Sequence, residues 1–210
     1  ELLTGDCPGQ PVITTRNGRE LPVDPELAKI RLTRLLAASG AEIMLCTTVS
    51  DVIMEGNRVS GLVLTGPGGM FAVRGRATID ATGDGQVACL TGAEYNIGRE
   101  SDGRVQPVTI EFVVSNVDES RAITAWGGSD PVKLPSGQEY RELCRERWAA
   151  GELPGNVSIV RLHRTGRPGE RAVNATQLND VNTLDPLELG RAEVELREQV
   201  LRCLEFLRKY

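Results

Sequence analysis

Gly83 and Gly85, with Asp84 between them, stand where a strand-like run gives way to a helical one. Glycines so spaced let a backbone turn tightly and approach another group. Asp84 suits the N-cap of a helix that begins at Gln86. The first N–H groups of such a helix lack partners within it and carry partial positive charge. The corner therefore suits an anion or a polar ligand oxygen. Thr78, Ile79 and Ala81 predict a short buried strand before it, interrupted by Asp80. Gly83-x-Gly85-x-x-Ala88 fits a loose dinucleotide fingerprint. Its context does not fit: the helix should stop near Gly92, after about two turns, and no second parallel strand follows. The corner reads as a second strand-to-helix turn touching a cofactor held mainly elsewhere. An ordinary strand-turn-helix corner is the alternative.

A second chemistry-bearing cluster is basic. His163 is the only histidine, hence the only ordinary proton shuttle near neutral pH. Arg164 and Arg167 flank it in a turn, with Arg171 at the far edge. Guanidinium groups there suit bidentate binding of a carboxylate or phosphate, and like-charge repulsion favours a neutral imidazole. The alternative is a solvated hairpin tip. No paired carboxylates or Ser-His-Asp order stand out, so no catalytic acid or base is assigned. The five cysteines, Cys7, Cys46, Cys89, Cys144 and Cys203, lie far apart without a Cys-x-x-Cys. That excludes a zinc site and a disulfide framework and points to reduced thiols in a cytoplasmic protein. Cys7, in a loop-like stretch, is the candidate exposed thiol.

Bulk properties narrow the classes. The chain has 210 residues and a formal net charge of -5, with 4% aromatics. Nothing draws it to nucleic acid or an anionic membrane, and aromatics are too few for a base-stacking platform. No apolar run approaches the roughly 20 residues of a membrane span.

The elements that must position these residues follow from patterning. Residues 12–19 suit a small hairpin. Asp24-Pro25-Glu26 starts a helix that ends at Gly40. Leu27, Ile30, Leu32, Leu35, Leu36 and Ala38 give it a broad packing face, with Lys29, Arg31 and Arg34 on the solvated side. Residues 41–73 alternate like a β-meander. Ile43, Leu45 and Thr47 fit one strand, and Val49, Val52 and Ile53 the next, with Asp51 out of phase. Turns follow at Gly56-Asn57 and at residues 66–69. Residues 95–106 turn charged and glycine-bearing, a domain crossing. Residues 107–115 predict a strand, 118–126 a short helix, and 138–150 a longer one. Strands over 156–162 and 171–176 flank the basic turn. Asp185-Pro186 opens a final helix with a stripe of Leu189, Ala192, Leu196, Val200, Cys203 and Leu207 and a Glu198–Arg202 pair on its wet side.

The run Ala81-Thr82-Gly83-Asp84-Gly85-Gln86-Val87-Ala88 resembles a family of FAD-dependent oxidoreductases, the two-dinucleotide-fold, glutathione-reductase-like flavoproteins. So do Gly92-Ala93, Gly98-Arg99-Glu100, Asp102-Gly103 and Gln106-Pro107-Val108-Thr109. Asp24-Pro25-Glu26, Gly166-Arg167-Pro168-Gly169-Glu170, Val173-Asn174 and Asp185-Pro186 extend the resemblance in order over nearly the whole chain. It implies a mixed α/β or α+β fold. A partial FAD-binding domain of helix plus β-meander covers residues 1–103, and a partial substrate domain of β-sheet plus helices covers 104–210. It implies flavin contact at Thr82, Gly83, Asp84 and Gly85, and a small-molecule substrate near Gln106 and Thr109. Arg99 and His163 are further substrate-side candidates, with a surface salt bridge the alternative for Arg99.

The family's opening strand, glycine-rich turn and helix, which bind the ADP half of FAD, are missing. Gly66-Pro67-Gly68-Gly69 reads as a hairpin turn instead. The C-terminal segment that closes the flavin site is also missing. The chain is thus expected to be an internal piece of a longer enzyme, inactive and free of FAD when isolated. The competing readings are a cofactor-less interaction module on a flavoprotein scaffold and a complete small Rossmann protein.

Overall fold

Local capping sets the two helices that frame the chain, as seen in the computed structural model, which describes residues 13–15, 18–20, 23–127 and 131–210. Ile13–Thr15 (β1) and Gly18–Glu20 (β2) form an antiparallel pair. Cys7 lies outside the described residues. Helix α1 spans Pro25–Ala38. The Asp24 carboxylate accepts from the N–H groups of Glu26 (2.9 Å) and Leu27 (3.1 Å), satisfying two donors that the helix cannot. Strands β3 (Thr48–Glu55), β4 (Arg58–Gly66) and β5 (Gly69–Arg74) follow, then the short helix α2 (Gln86–Leu90). The remainder is β6 (Glu111–Val114), α3 (Tyr140–Ala149), β7 (Arg161–Arg164), β8 (Arg171–Asn174) and α4 (Pro186–Lys209). Small antiparallel sheets with helices make this an α+β fold. Among the described residues no helix is long and apolar enough to cross a membrane.

The described residues divide into two compact units, one over residues 32–98 and the other over those up to Arg31 together with those from Arg99 to Tyr210. In the first unit β3, β4 and β5 form the expected three-stranded meander, with β4 central. The register shifts between Val49 and Asp51, leaving Ser50 as a bulge. That extra residue is why Asp51 falls out of phase. Two expected strands do not form: residues 41–47 and 78–81 are irregular. Ile79 is 90% exposed and Leu45 76% exposed. A strand needs a ladder partner for its N–H and C=O groups, and none of the described strands pairs with either run. The packing face expected on α1 is uncovered as well: no residue of that helix is buried.

The second unit holds the main core. Strands pair in the order β6-β8-β7. Leu162 of β7 and Val173 of β8 pack with Tyr140, Leu143 and Cys144 of α3 and with Cys203 and Phe206 of α4. Each fully buried aliphatic side chain contributes roughly 1.5–3 kcal/mol. Burial pushes the Cys203 thiol up to about 12 and raises that of Cys144, so both act as small apolar groups. The strand expected over 107–115 shrinks to β6 plus a lone bridge from Val108 to Leu178. Thr176 explains the gap. Its hydroxyl accepts from the Ile110 N–H at 2.7 Å and donates to the Ile110 carbonyl at 2.9 Å, replacing ladder bonds. Residues 118–126 form a turn and a bridge rather than a helix, because the backbone of Ala125 pairs with that of Leu162.

Helix α4 buries Ala192, Leu196, Gln199, Cys203 and Phe206. This seam is rotated from the expected stripe, and Leu189 stays exposed. Gln199 is the reason: its Oε1 accepts from the Gln177 N–H at 2.8 Å and its Nε2 donates to the Gln177 carbonyl at 3.2 Å. Arg202 does not use Glu198. It donates to the carbonyls of Gly151 (2.6 Å) and Leu153 (3.0 Å). Arg171, only 3% exposed, is held by a two-pronged pair with Glu119, both bonds 2.8 Å. Bonds from Arg171, then from the Gly169 N–H, lower the Glu119 carboxyl to about 2.

Two outcomes follow from these buried polar groups. Gln199→Leu strands the Gln177 N–H, whereas the Gln177 carbonyl keeps Asn156 Nδ2 at 3.3 Å, and should cost about 2 kcal/mol in urea unfolding. An unchanged midpoint would show that Gln199 is dispensable. The folded Glu119 carboxyl titrates below its unfolded value of 4.5. Its contribution is therefore complete above that value and fades as pH falls towards about 2. Glu119→Gln should lower stability at pH 7 and converge with the wild type near pH 2, read by unfolding midpoints across that window.

Candidate functional site: the corner at residues 80–88

The corner is built by a side chain that the sequence presents as an interruption. Asp80 Oδ1 accepts from the Thr82 N–H at 3.0 Å and from its hydroxyl at 2.7 Å, while Oδ2 accepts from the Ala88 N–H at 3.1 Å. The Thr82 oxygen in turn accepts from the Gln86 N–H at 3.0 Å. These bonds, the Thr82 N–H foremost, hold the Asp80 carboxyl below the usual carboxylate range. Gly85, not Asp84, is the N-cap of α2, and it offers no side chain to cap with. Asp80 and Thr82 supply that function from outside the helix. Val87 is buried, and Gln86 Nε2 donates to the Val49 carbonyl at 2.8 Å, fastening α2 to β3.

This arrangement changes what the corner can offer. Two helix-start donors, at Gln86 and Ala88, are already engaged. The N–H groups of Gly83, Asp84 and Gly85 find no acceptor among the described residues. Gly83 has φ +87° and Gly85 φ +67°, the left-handed region that favours glycine, and a Cβ on either would meet nothing within 4 Å. Backbone geometry, not crowding, demands glycine here. The result is three successive donors without an acceptor among the described residues, close in sequence to the carboxylates of Asp80 and Asp84. Such a surface suits neutral carbonyl or hydroxyl oxygens of a ligand better than phosphates. It is compatible with the polar edge of a flavin or the ribityl chain below it.

Thr82, Gly83, Asp84 and Gly85 thus come together on one corner. Three of the four substrate-side candidates have other partners. Arg99 forks onto Asp102, with Nε at 3.0 Å, and lowers that carboxyl. Gln106 is exposed. The Thr109 hydroxyl donates to the Thr176 carbonyl at 2.6 Å. His163 lies in β7 rather than at a hairpin tip, opposite Ala172. Its ring meets Trp126 edge-on at 4.5 Å. Arg171, expected at the edge of an anion-binding turn, is committed to Glu119. Among the described residues no cluster of His, Cys, Asp or Glu could hold a metal ion. The residue passed over was Asp80. Its signal was the Asp80-x-Thr82 spacing, which lets one carboxylate reach a backbone N–H two residues on.

Comparison with known families gives one match: a family model described as FAD dependent oxidoreductase aligns with residues 4–210. No curated protein matches the chain, and no solved structure does.

The brace on α2 can be read by amide exchange. Asp80→Asn should lower the protection of the Ala88 and Thr82 amides, and Thr82→Val that of Gln86. Because the Asp80 carboxyl is depressed from 3.8, the wild-type protection at Ala88 should persist through that pH and be lost only below it. Equal exchange in Asp80→Asn and wild type would remove Asp80 from this role.

Proposed function

The chain belongs to the family of FAD-dependent oxidoreductases, and on that premise we propose that it is an internal piece of a longer flavoenzyme of the two-dinucleotide-fold, glutathione-reductase-like type. In that enzyme hydride passes between a small-molecule substrate and the flavin. The bound flavin supplies the electron-carrying chemistry. The residues of this chain bind, orient and shield.

One observation carries the reading: the three unpaired N–H groups at Gly83, Asp84 and Gly85, held in place by Asp80 and Thr82. Hydrogen bonds from this corner would position the flavin end of FAD through backbone atoms, insensitive to side-chain rotamers. The ADP half would be anchored by the family's glycine-rich strand-turn-helix, outside these residues. Residues 1–103 then belong to the FAD-binding domain and 104–210 to the substrate domain, with Gln106, Thr109, Arg99 and His163 on the substrate side.

The uncovered apolar surface of residues 32–98 supports the same reading. Leu35, Leu45, Met70, Ile79 and Ile97 are exposed within one small unit. Surface of that kind marks an interface. Further strands of a parallel sheet would pair with residues 41–47 and 78–81, the two runs that the sequence marks as strands.

The full-length protein should be yellow and release FAD on denaturation. Gly83→Val should weaken FAD binding at least roughly tenfold with far-UV circular dichroism unchanged, since a side chain at this φ costs about 1–2 kcal/mol and moves the donors. The isolated chain should purify colourless. A full-length protein that carries no nucleotide would overturn the flavoenzyme reading in favour of a cofactor-less module, and a flavin-loaded isolated chain would overturn the fragment reading.

A further inference from the structure

A cavity of about 800 Å³ opens in the unit that contains β6, α3 and α4. None of Thr82, Gly83, Asp84, Gly85, Arg99, Gln106, Thr109 or His163 lines it. Its walls include Phe112, Val114, Ile123, Leu143 and Leu204. Several of these pack directly on the buried core, so the floor is preformed. The volume falls within the roughly 300–1,000 Å³ usual for small-molecule sites.

The lining is charged on one side only. Arg121, Arg171, Arg208 and Lys209 contribute positive charge, and Asp118 is the single acid. In a chain of net charge -5, composition does not explain that excess. Two of the cations are spoken for: Arg171 by Glu119, and Lys209 by Glu152 at 2.8 Å. Arg121 and Arg208 are exposed and form no ion pair among the described residues, although Arg121 is near enough to help lower the Asp118 carboxyl, whose main partner is Ser120.

We propose that this cavity binds a small amphipathic monocarboxylate, its hydrocarbon body against the apolar walls and its carboxylate held by Arg121 and Arg208. Guanidinium groups match a carboxylate in shape and charge. The hydrocarbon walls would desolvate a heavily hydroxylated or multiply charged ligand without compensating bonds. This inference does not rest on flavin binding.

Dodecanoate and dodecanol are the test pair, titrated calorimetrically into the whole chain. They share a tail and differ in charge. Dodecanoate should bind at one saturable site, at least roughly tenfold tighter than dodecanol, as a charge-assisted bond implies. The exposed double variant Arg121→Gln/Arg208→Gln should bring dodecanoate down to the dodecanol level and leave dodecanol unchanged. Leu204→Trp, which fills the cavity, should abolish saturable binding of both, with near-UV circular dichroism reporting the fold. Equal affinity for the two probes, wild-type dodecanoate affinity in the double variant, or uptake without saturation on exposed apolar surface would each overturn the proposal.

Discussion

Helix α2 begins on a residue without a side chain, and its first donors must find acceptors elsewhere. Asp80 and Thr82 meet that demand, and the rest of the corner follows. Once Gln86 and Ala88 are satisfied by Thr82 and Asp80, the N–H groups of residues 83–85 are left without an acceptor among the described residues. The carboxylate also sets the sign of the local field, so the corner favours uncharged oxygens over phosphates.

The other unit obeys the same rule deeper in the fold. Arg171 and Gln199 are buried, and each is fully occupied: Arg171 by Glu119, Gln199 by the backbone of Gln177. The Tyr140 hydroxyl likewise donates to the Val160 carbonyl at 2.8 Å, and burial raises its pKa well above the usual value. Of these groups, Gln199 is the one that ties α4 to a neighbouring segment, through the backbone of Gln177. Buried polar groups are tolerated on condition that they are paired.

Much of this was legible in the sequence. The caps at Asp24 and Asp185, the meander over residues 48–74, the limits of α3 and the start of α4 follow from short-range chemistry that tertiary contacts did not override. The failures share one cause: they depend on a partner distant in sequence. Residues 41–47 and 78–81 carry strand-forming side chains but have no strand to pair with among the described residues. Thr176 removes two ladder bonds from Ile110 across 66 positions. Gln199 was passed over because a periodicity argument counts apolar residues and ignores a polar one that is internally satisfied. At the corner Gly83 and Gly85 do turn at positive φ, whereas the sequence places the capping role on Asp84 and the structure on Asp80 and Thr82, because the nearer acid is the usual cap.

The two sheets also differ in how far apart along the chain their strands lie. β3, β4 and β5 are consecutive hairpins, whereas β6 must wait for β8, which pairs with it across 61 positions at Phe112 and Val173. Pairings between neighbours close small loops and form fast; distant ones form late. During synthesis the meander is therefore complete while the sheet that follows it is still unmade.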